Sequence, residues 1–142
     1  MAANKTYVWP ILALGAILST NAQNTLTPKE KERMANKVEV FTPDERDNIQ
    51  MWFYEQTNKL GLSESTRNTY ASILSDHIYE LGRLTDKDKN YDQAEILSKI
   101  EEDKTKVNAK IKPLLTESQY QQHLEHYNRV LDVYIKRIKE NK

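Results

Sequence analysis

Apolar residues recur along this chain in blocks of helical period, and most blocks open on the same device, an apolar residue followed by a hydroxyl-bearing one. The most regular block runs through Tyr120, Leu124, Tyr127, Leu131, Tyr134 and Ile138, in alternating steps of four and three that share one helix face. Its entrance is Leu115-Thr116-Glu117-Ser118-Gln119. Thr116 is placed as the N-cap, accepting from the Gln119 amide; the Gln119 side chain reaches back to the Thr116 amide, and Leu115 staples onto Tyr120.

The device repeats upstream at Leu26-Thr27-Pro28, Phe41-Thr42-Pro43, Leu62-Ser63-Glu64 and Leu84-Thr85-Asp86. Glu30 and Glu45 complete capping boxes, and proline fills the first helical position, which lacks an intrahelical amide partner in any case. The pattern predicts helices over 28–41, 43–60, 64–82, 91–112 and from Thr116 to about 139. The first, with only Met34, Val38 and Phe41 to bury, reads as an arm. The second carries Ile49, Trp52, Phe53, Gln56 and Leu60 on one stripe and stops at Gly61, suited to a left-handed position. The third turns Tyr70, Ile73, Leu74, His77, Ile78 and Leu81 inward and closes at Gly82. Residues 83–90 form a polar connection with a helical turn after Thr85. The fourth places Tyr91, Ala94, Leu97, Ile100, Val107 and Ile111 inside, with Lys104 as a flank. Pro113 ends it, and the short link to Leu115 makes the last two helices an antiparallel hairpin. The expected fold is all-α, four to five helices in extended or curved antiparallel hairpins, one domain over 23–142 with its core in 42–139.

Charge and composition narrow the function. Twenty-one basic residues balance 21 acidic ones, so no net surplus draws the chain to nucleic acid or an anionic membrane. The absence of cysteine excludes a disulfide framework, a thiol nucleophile, a thiolate zinc site and a lipid-modified N-terminal cysteine. The first 22 residues read as an export signal: Lys5, an apolar run from Val8 to Leu18, then Thr20-Asn21-Ala22 before the expected cleavage. That run is shorter than the roughly 20 apolar residues a membrane span needs. The mature chain, from Gln23, is therefore expected outside the cytoplasm, in the periplasm, with no integral span; an uncleaved N-terminal anchor is the alternative.

Candidate chemistry is sparse. No glycine-rich phosphate cradle, Ser/His/Asp cluster or isolated carboxylate pair stands out, which points away from an enzyme, and no cofactor is expected. His77 on an apolar face reads as a hydrogen-bonded core residue. His123 and His126, three apart, read as two exposed side chains or as two ligands of a metal lacking a third. Met51-Trp52-Phe53-Tyr54 is apolar around the whole helix, so that helix is either central and buried on every side or displays one face to a partner. Tyr120, Tyr127 and Tyr134 form a stripe that suits either a core or a groove for polypeptide.

Leu115-Thr116-Glu117-Ser118-Gln119 resembles the LTxxQ signature of the Spy/CpxP family of periplasmic helical proteins. Thr42-Pro43-Asp44-Glu45-Arg46 followed by Leu60-Gly61-Leu62-Ser63-Glu64 is similar to that family's helix entry and second motif copy, although Thr66 stands where glutamine is expected and Leu26 to Glu30 has glutamate there. The likeness covers residues 42–128. It implies a curved, usually dimeric helical hairpin acting as an ATP-independent chaperone or envelope-stress protein on unfolded or partner polypeptides. The other readings are a structural or regulatory subunit of an envelope complex, anchored by Met51 and Tyr54, and a metal-responsive sensor using His123 and His126.

Overall fold

The computed structural model describes residues 25–141, so the expected signal and its cleavage point lie outside the described residues. Among these residues are five α-helices and no strand: α1 (Pro28–Asn36), α2 (Pro43–Lys59), α3 (Glu64–Gly82), α4 (Gln93–Ile111) and α5 (Glu117–Glu140). Single 3-10 turns at Lys87–Lys89 and Lys112–Leu114 precede α4 and α5. The all-α expectation holds.

Hydroxyl caps start four of the five helices. Thr27, Thr42 and Thr116 each form both halves of a capping box, with Glu30, Glu45 and Gln119 respectively, and the Ser63 hydroxyl accepts from the Thr66 amide. Such caps each contribute about 1 kcal/mol by satisfying amides that the helix leaves unpaired. Thr85 does not cap: its hydroxyl donates instead to the Val38 carbonyl, and α4 starts at Asp92, boxed with Glu95. The aspartate was legible as a cap in type, but the hydrophobic-hydroxyl pattern does not contain it.

Long-range bonds give the topology. On α4 and α5, Asn108 meets His123 and Gln93 donates to the Ile138 carbonyl, so these helices run antiparallel. On α2 and α5, Glu45 pairs with Arg137, and the Gln119 amide donates to the Leu60 carbonyl at 3.0 Å, again antiparallel. On α3 and α5, Tyr70 bonds His123 and Tyr134 bonds the Leu81 carbonyl, both 53 residues apart, which makes this pair parallel. Helices α2 to α5 thus alternate up and down around one core. Its fully buried members include Tyr70, Leu74, Ile100, Val107, Ile111 and Tyr127. Each buried aliphatic side chain contributes roughly 1.5–3 kcal/mol by leaving water. Helix α1 buries nothing, and remains the arm that its composition predicts.

Two expectations shift. The first helix ends at Asn36 rather than at 41, because Lys37-Val38-Glu39-Val40-Phe41 alternates polar and apolar residues; Lys37 is extended at φ −62°, ψ 131°, and the segment crosses the bundle as a strap. The third helix closes at Gly82 and Gly61 takes the left-handed conformation, both as expected; among the described residues Asn90 is the further left-handed position. On α4 the buried face is Ile96, Ile100, Val107 and Ile111, leaving Leu97 half-buried and Ala94 exposed. Asp103, paired to His77, holds the inward position between Ile100 and Val107, so the polar pair rather than the apolar count sets the rotation of this helix.

The glutamine of the α5 cap does two jobs. Its carbonyl oxygen accepts from the Thr116 amide at 3.0 Å while its amide nitrogen donates to Leu60, the C-cap of α2. Glutamate could do only the first. Gln119→Glu is therefore expected to keep the capping box but to turn the second contact repulsive, at the negative end of the α2 dipole, and to lower stability by about 1–2 kcal/mol in urea unfolding; an unchanged midpoint would remove the tie between α2 and α5.

Candidate functional site: an apolar groove beneath the strap

Helices α2 and α3 share the turn at residues 60–63, where Arg67 bonds Asn58, but their backbones approach each other less closely than those of α3 and α4 or α4 and α5. The seam between them opens into a groove that the strap at 37–42 partly covers. It holds a cavity of about 180 Å³ walled by Val40, Phe41, Ile49, Phe53, Ile78 and Tyr134. Cationic side chains from α1, the strap and α2 stand at its mouth: Arg33 over the Tyr79 ring at 4.0 Å, and Lys37 and Arg46, both paired to Glu39. Arg137 crosses the Phe41 ring at 5.3 Å and clamps Glu45, and that bond, ahead of the Thr42 amide, holds the Glu45 carboxyl below its ordinary range.

The groove gathers three of the residues singled out in the sequence. Phe53, Tyr127 and Tyr134 lie along it, buried, with Phe41 and Tyr134 rings 6.1 Å apart. The other candidates lie elsewhere. Met51 is 61% exposed, so α2 is not buried on every side. Trp52 is half-buried, edge-on to His126 at 6.0 Å and beneath the Arg129 guanidinium at 5.0 Å; Tyr54 is half-buried. Half-buried Tyr120 stacks on His123 rather than joining the groove. Leu115 and Gln119 are half-buried at the foot of α5, and Thr116 is exposed there. Missed in the sequence were the strap residues and Arg33, Lys37 and Arg46; the alternation from Lys37 to Phe41 was the available signal.

His123 overturns its expected exposure. It is fully buried, because the inward face of α5 is His123, Tyr127, Leu131, Tyr134 and Ile138, with Leu124 half-buried. Tyr120 and Tyr127 stack on either side of the imidazole, and Tyr70 meets it edge-on at 5.5 Å. Its Nε2–H donates to the Asn108 carbonyl oxygen at 2.9 Å and its Nδ1 accepts from the Tyr70 hydroxyl at 2.8 Å. Both nitrogens are engaged, so a metal would have to displace one of these hydrogen bonds to reach the ring. His126, half-buried against Trp52, does not share a polar site with it. Among the described residues no group of three His, Asp or Glu side chains converges as a metal site. Burial first, and then the charge on His126, push the His123 pKa down to about 4.

A second polar pair crosses α3 and α4. His77 Nδ1–H donates to Asp103 at 2.5 Å, and His77 Nε2 accepts from the Lys110 ammonium at 3.2 Å. An imidazole held by a carboxylate is the frame of a general base, but here Lys110 occupies the nitrogen that would take a proton. The Tyr127 hydroxyl is buried with no hydrogen-bond partner among the described residues, and desolvation drives its pKa up.

Comparison with known proteins adds no relative: no protein-family model matches the chain, and no curated protein or solved structure is significantly similar to it.

Two tests follow from the buried tyrosines and His123. Tyr134→Phe, which removes the buried hydrogen bond to the Leu81 carbonyl, should cost about 1 kcal/mol in chemical denaturation, whereas Tyr127→Phe, which removes an unpaired buried hydroxyl, should be neutral or stabilising; equal losses would mean that the Tyr127 hydroxyl is satisfied. For His123, the folded pKa lies below the unfolded value near 6.5, so the unfolded chain binds the extra proton and stability falls as pH drops from about 6.5 to 4, by up to about 3 kcal/mol. His123→Gln should flatten that part of the pH profile of the urea midpoint, and a slope equal to that of the wild type would exclude His123 as its source.

Proposed function

We propose that this chain is a non-enzymatic, exported helical protein that binds other polypeptides, working in the manner of the Spy/CpxP-like ATP-independent chaperones and envelope-stress proteins it resembles in its LTxxQ segment. The observation that carries the reading is the open apolar groove under the strap, where Phe41, Phe53 and Tyr134 face a space bordered by charged side chains. Apolar walls bind side chains of many shapes, and a charged rim keeps the complex in solution. Export is supported by the composition of the first 22 residues, and the glutamine of the motif by its double role at the start of α5. No helix among the described residues is long and apolar enough to cross a membrane.

A second reading has its own observation. Met51, 61% exposed on the outer side of α2, is an apolar anchor away from the groove and fits a fixed subunit interface of an envelope complex. The metal-sensor reading loses support from the two hydrogen bonds that occupy His123.

Suppression of aggregation separates these readings. The chaperone reading expects the purified chain, without nucleotide, to slow light scattering of several unrelated denatured clients at about equimolar ratio, and expects Met51→Glu to leave this intact. No suppression with any client would defeat it, and loss of one stoichiometric partner in pull-downs with Met51→Glu would establish the fixed-subunit reading instead.

A further inference from the structure

The groove has a size and a charge that narrow its occupant. A cavity of about 180 Å³ lies below the several hundred Å³ of pockets that swallow a whole small molecule, and near the roughly 150 Å³ of an apolar cavity that takes one benzene ring. One aromatic side chain fits; a long acyl chain does not. The wall supplies aromatic partners for it in Phe41, Phe53 and Tyr134. The mouth is electrostatically uneven. Lys37 and Arg46 share the single carboxylate of Glu39, at 2.8 Å from Lys37, and Arg33 rests on the Tyr79 ring with no ion pair among the described residues. Three cations against one carboxylate leave an excess of two positive charges at the entrance to an apolar hole, although the chain as a whole is neutral.

We propose that this cavity is the anchor pocket for a single aromatic side chain of a bound polypeptide, flanked in sequence by carboxylates that pair with Arg33, Lys37 and Arg46. The assignment rests on the polypeptide-binding reading and gives that site a preferred segment. The ring carries the burial, as anchors in binding pockets do, and the flanking acids contribute selectivity and association rate at a surface where salt screens them. Acidic segments without a ring lack the anchor. Basic segments with a ring meet repulsion at the mouth.

Fluorescence anisotropy on the full chain with labelled peptides tests this, using Asp-Glu-Phe-Glu-Asp, the same peptide with alanine for phenylalanine, and Lys-Lys-Phe-Lys-Lys. The first should bind at least roughly tenfold more tightly than either of the others and weaken with added salt. The charge swap Arg33→Glu with Lys37→Glu sits on the arm and strap, away from the core, and should reverse the preference between acidic and basic peptides. Ile49→Trp, which fills the cavity, should reduce the phenylalanine peptide to the affinity of the alanine one, and an undiminished preference for the ring would overturn the assignment. Equal affinity for the phenylalanine and alanine peptides, no effect of the charge swap, tighter binding of dodecanoate than of the acidic peptide, or burial of the groove by self-association in sedimentation would each overturn the assignment. Client aggregation measured on the same wild-type samples keeps the two ideas apart: suppression without peptide discrimination defeats the anchor pocket alone, and discrimination without suppression defeats the chaperone reading alone.

Discussion

Two tyrosine hydroxyls hold the register on which this bundle depends. Tyr70 donates to His123 and Tyr134 to the Leu81 carbonyl, each at 2.8 Å, one near either end of the parallel pair α3 and α5. Apolar faces slide past one another at small cost, but a phenol left unpaired in a dry core costs about 1–3 kcal/mol. Sliding α5 by one turn would break both bonds at once. The remaining contacts of α5, to α4 through Asn108 and to α2 through Gln119 and Arg137, are then placed by the same register.

Burial follows from that constraint as much as from hydrophobicity. The inward face of α5 includes a histidine at the cost of Leu124, because an imidazole between Tyr120 and Tyr127 answers the Tyr70 hydroxyl and a leucine would not. On α4 the inward site between Ile100 and Val107 goes to Asp103 for the same reason, to meet His77. These polar contacts exchange some stability for a single alignment, and keep His123 neutral by desolvation.

This explains which parts were legible beforehand. Helix starts written in local chemistry, such as Thr27, Thr42, Ser63 and Thr116, can be read from four or five residues because both partners of each bond are neighbours. The rotation of α4 and α5 could not be read that way. It depends on pairs 26 and 53 residues apart, Asp103 with His77 and His123 with Tyr70, and although Tyr70 and His77 fall on the apolar face of α3, periodicity leaves their partners Asp103 and His123 off the apolar stripes. The groove was half legible: Phe53, Tyr127 and Tyr134 stood out by type and spacing, while the strap was absorbed into the first helix because Val38 and Phe41 also satisfy a helical step of three.

The same distribution of contacts decides where an opening can exist. Helix α5 is tied by side-chain bonds to each of α2, α3 and α4, and α3 to α4 by His77 and Asp103, whereas α2 and α3 are joined mainly near their common turn. Away from that turn the seam has little to close it but the strap and an arm, α1, that buries no residue. A bundle cross-linked on three sides keeps its shape when the fourth is parted, so apolar wall can remain open to a guest without loss of the fold. Rigidity around α5 and looseness under the strap are therefore two results of one arrangement, and it is the loosely held side that carries both the apolar cavity and the unbalanced cations.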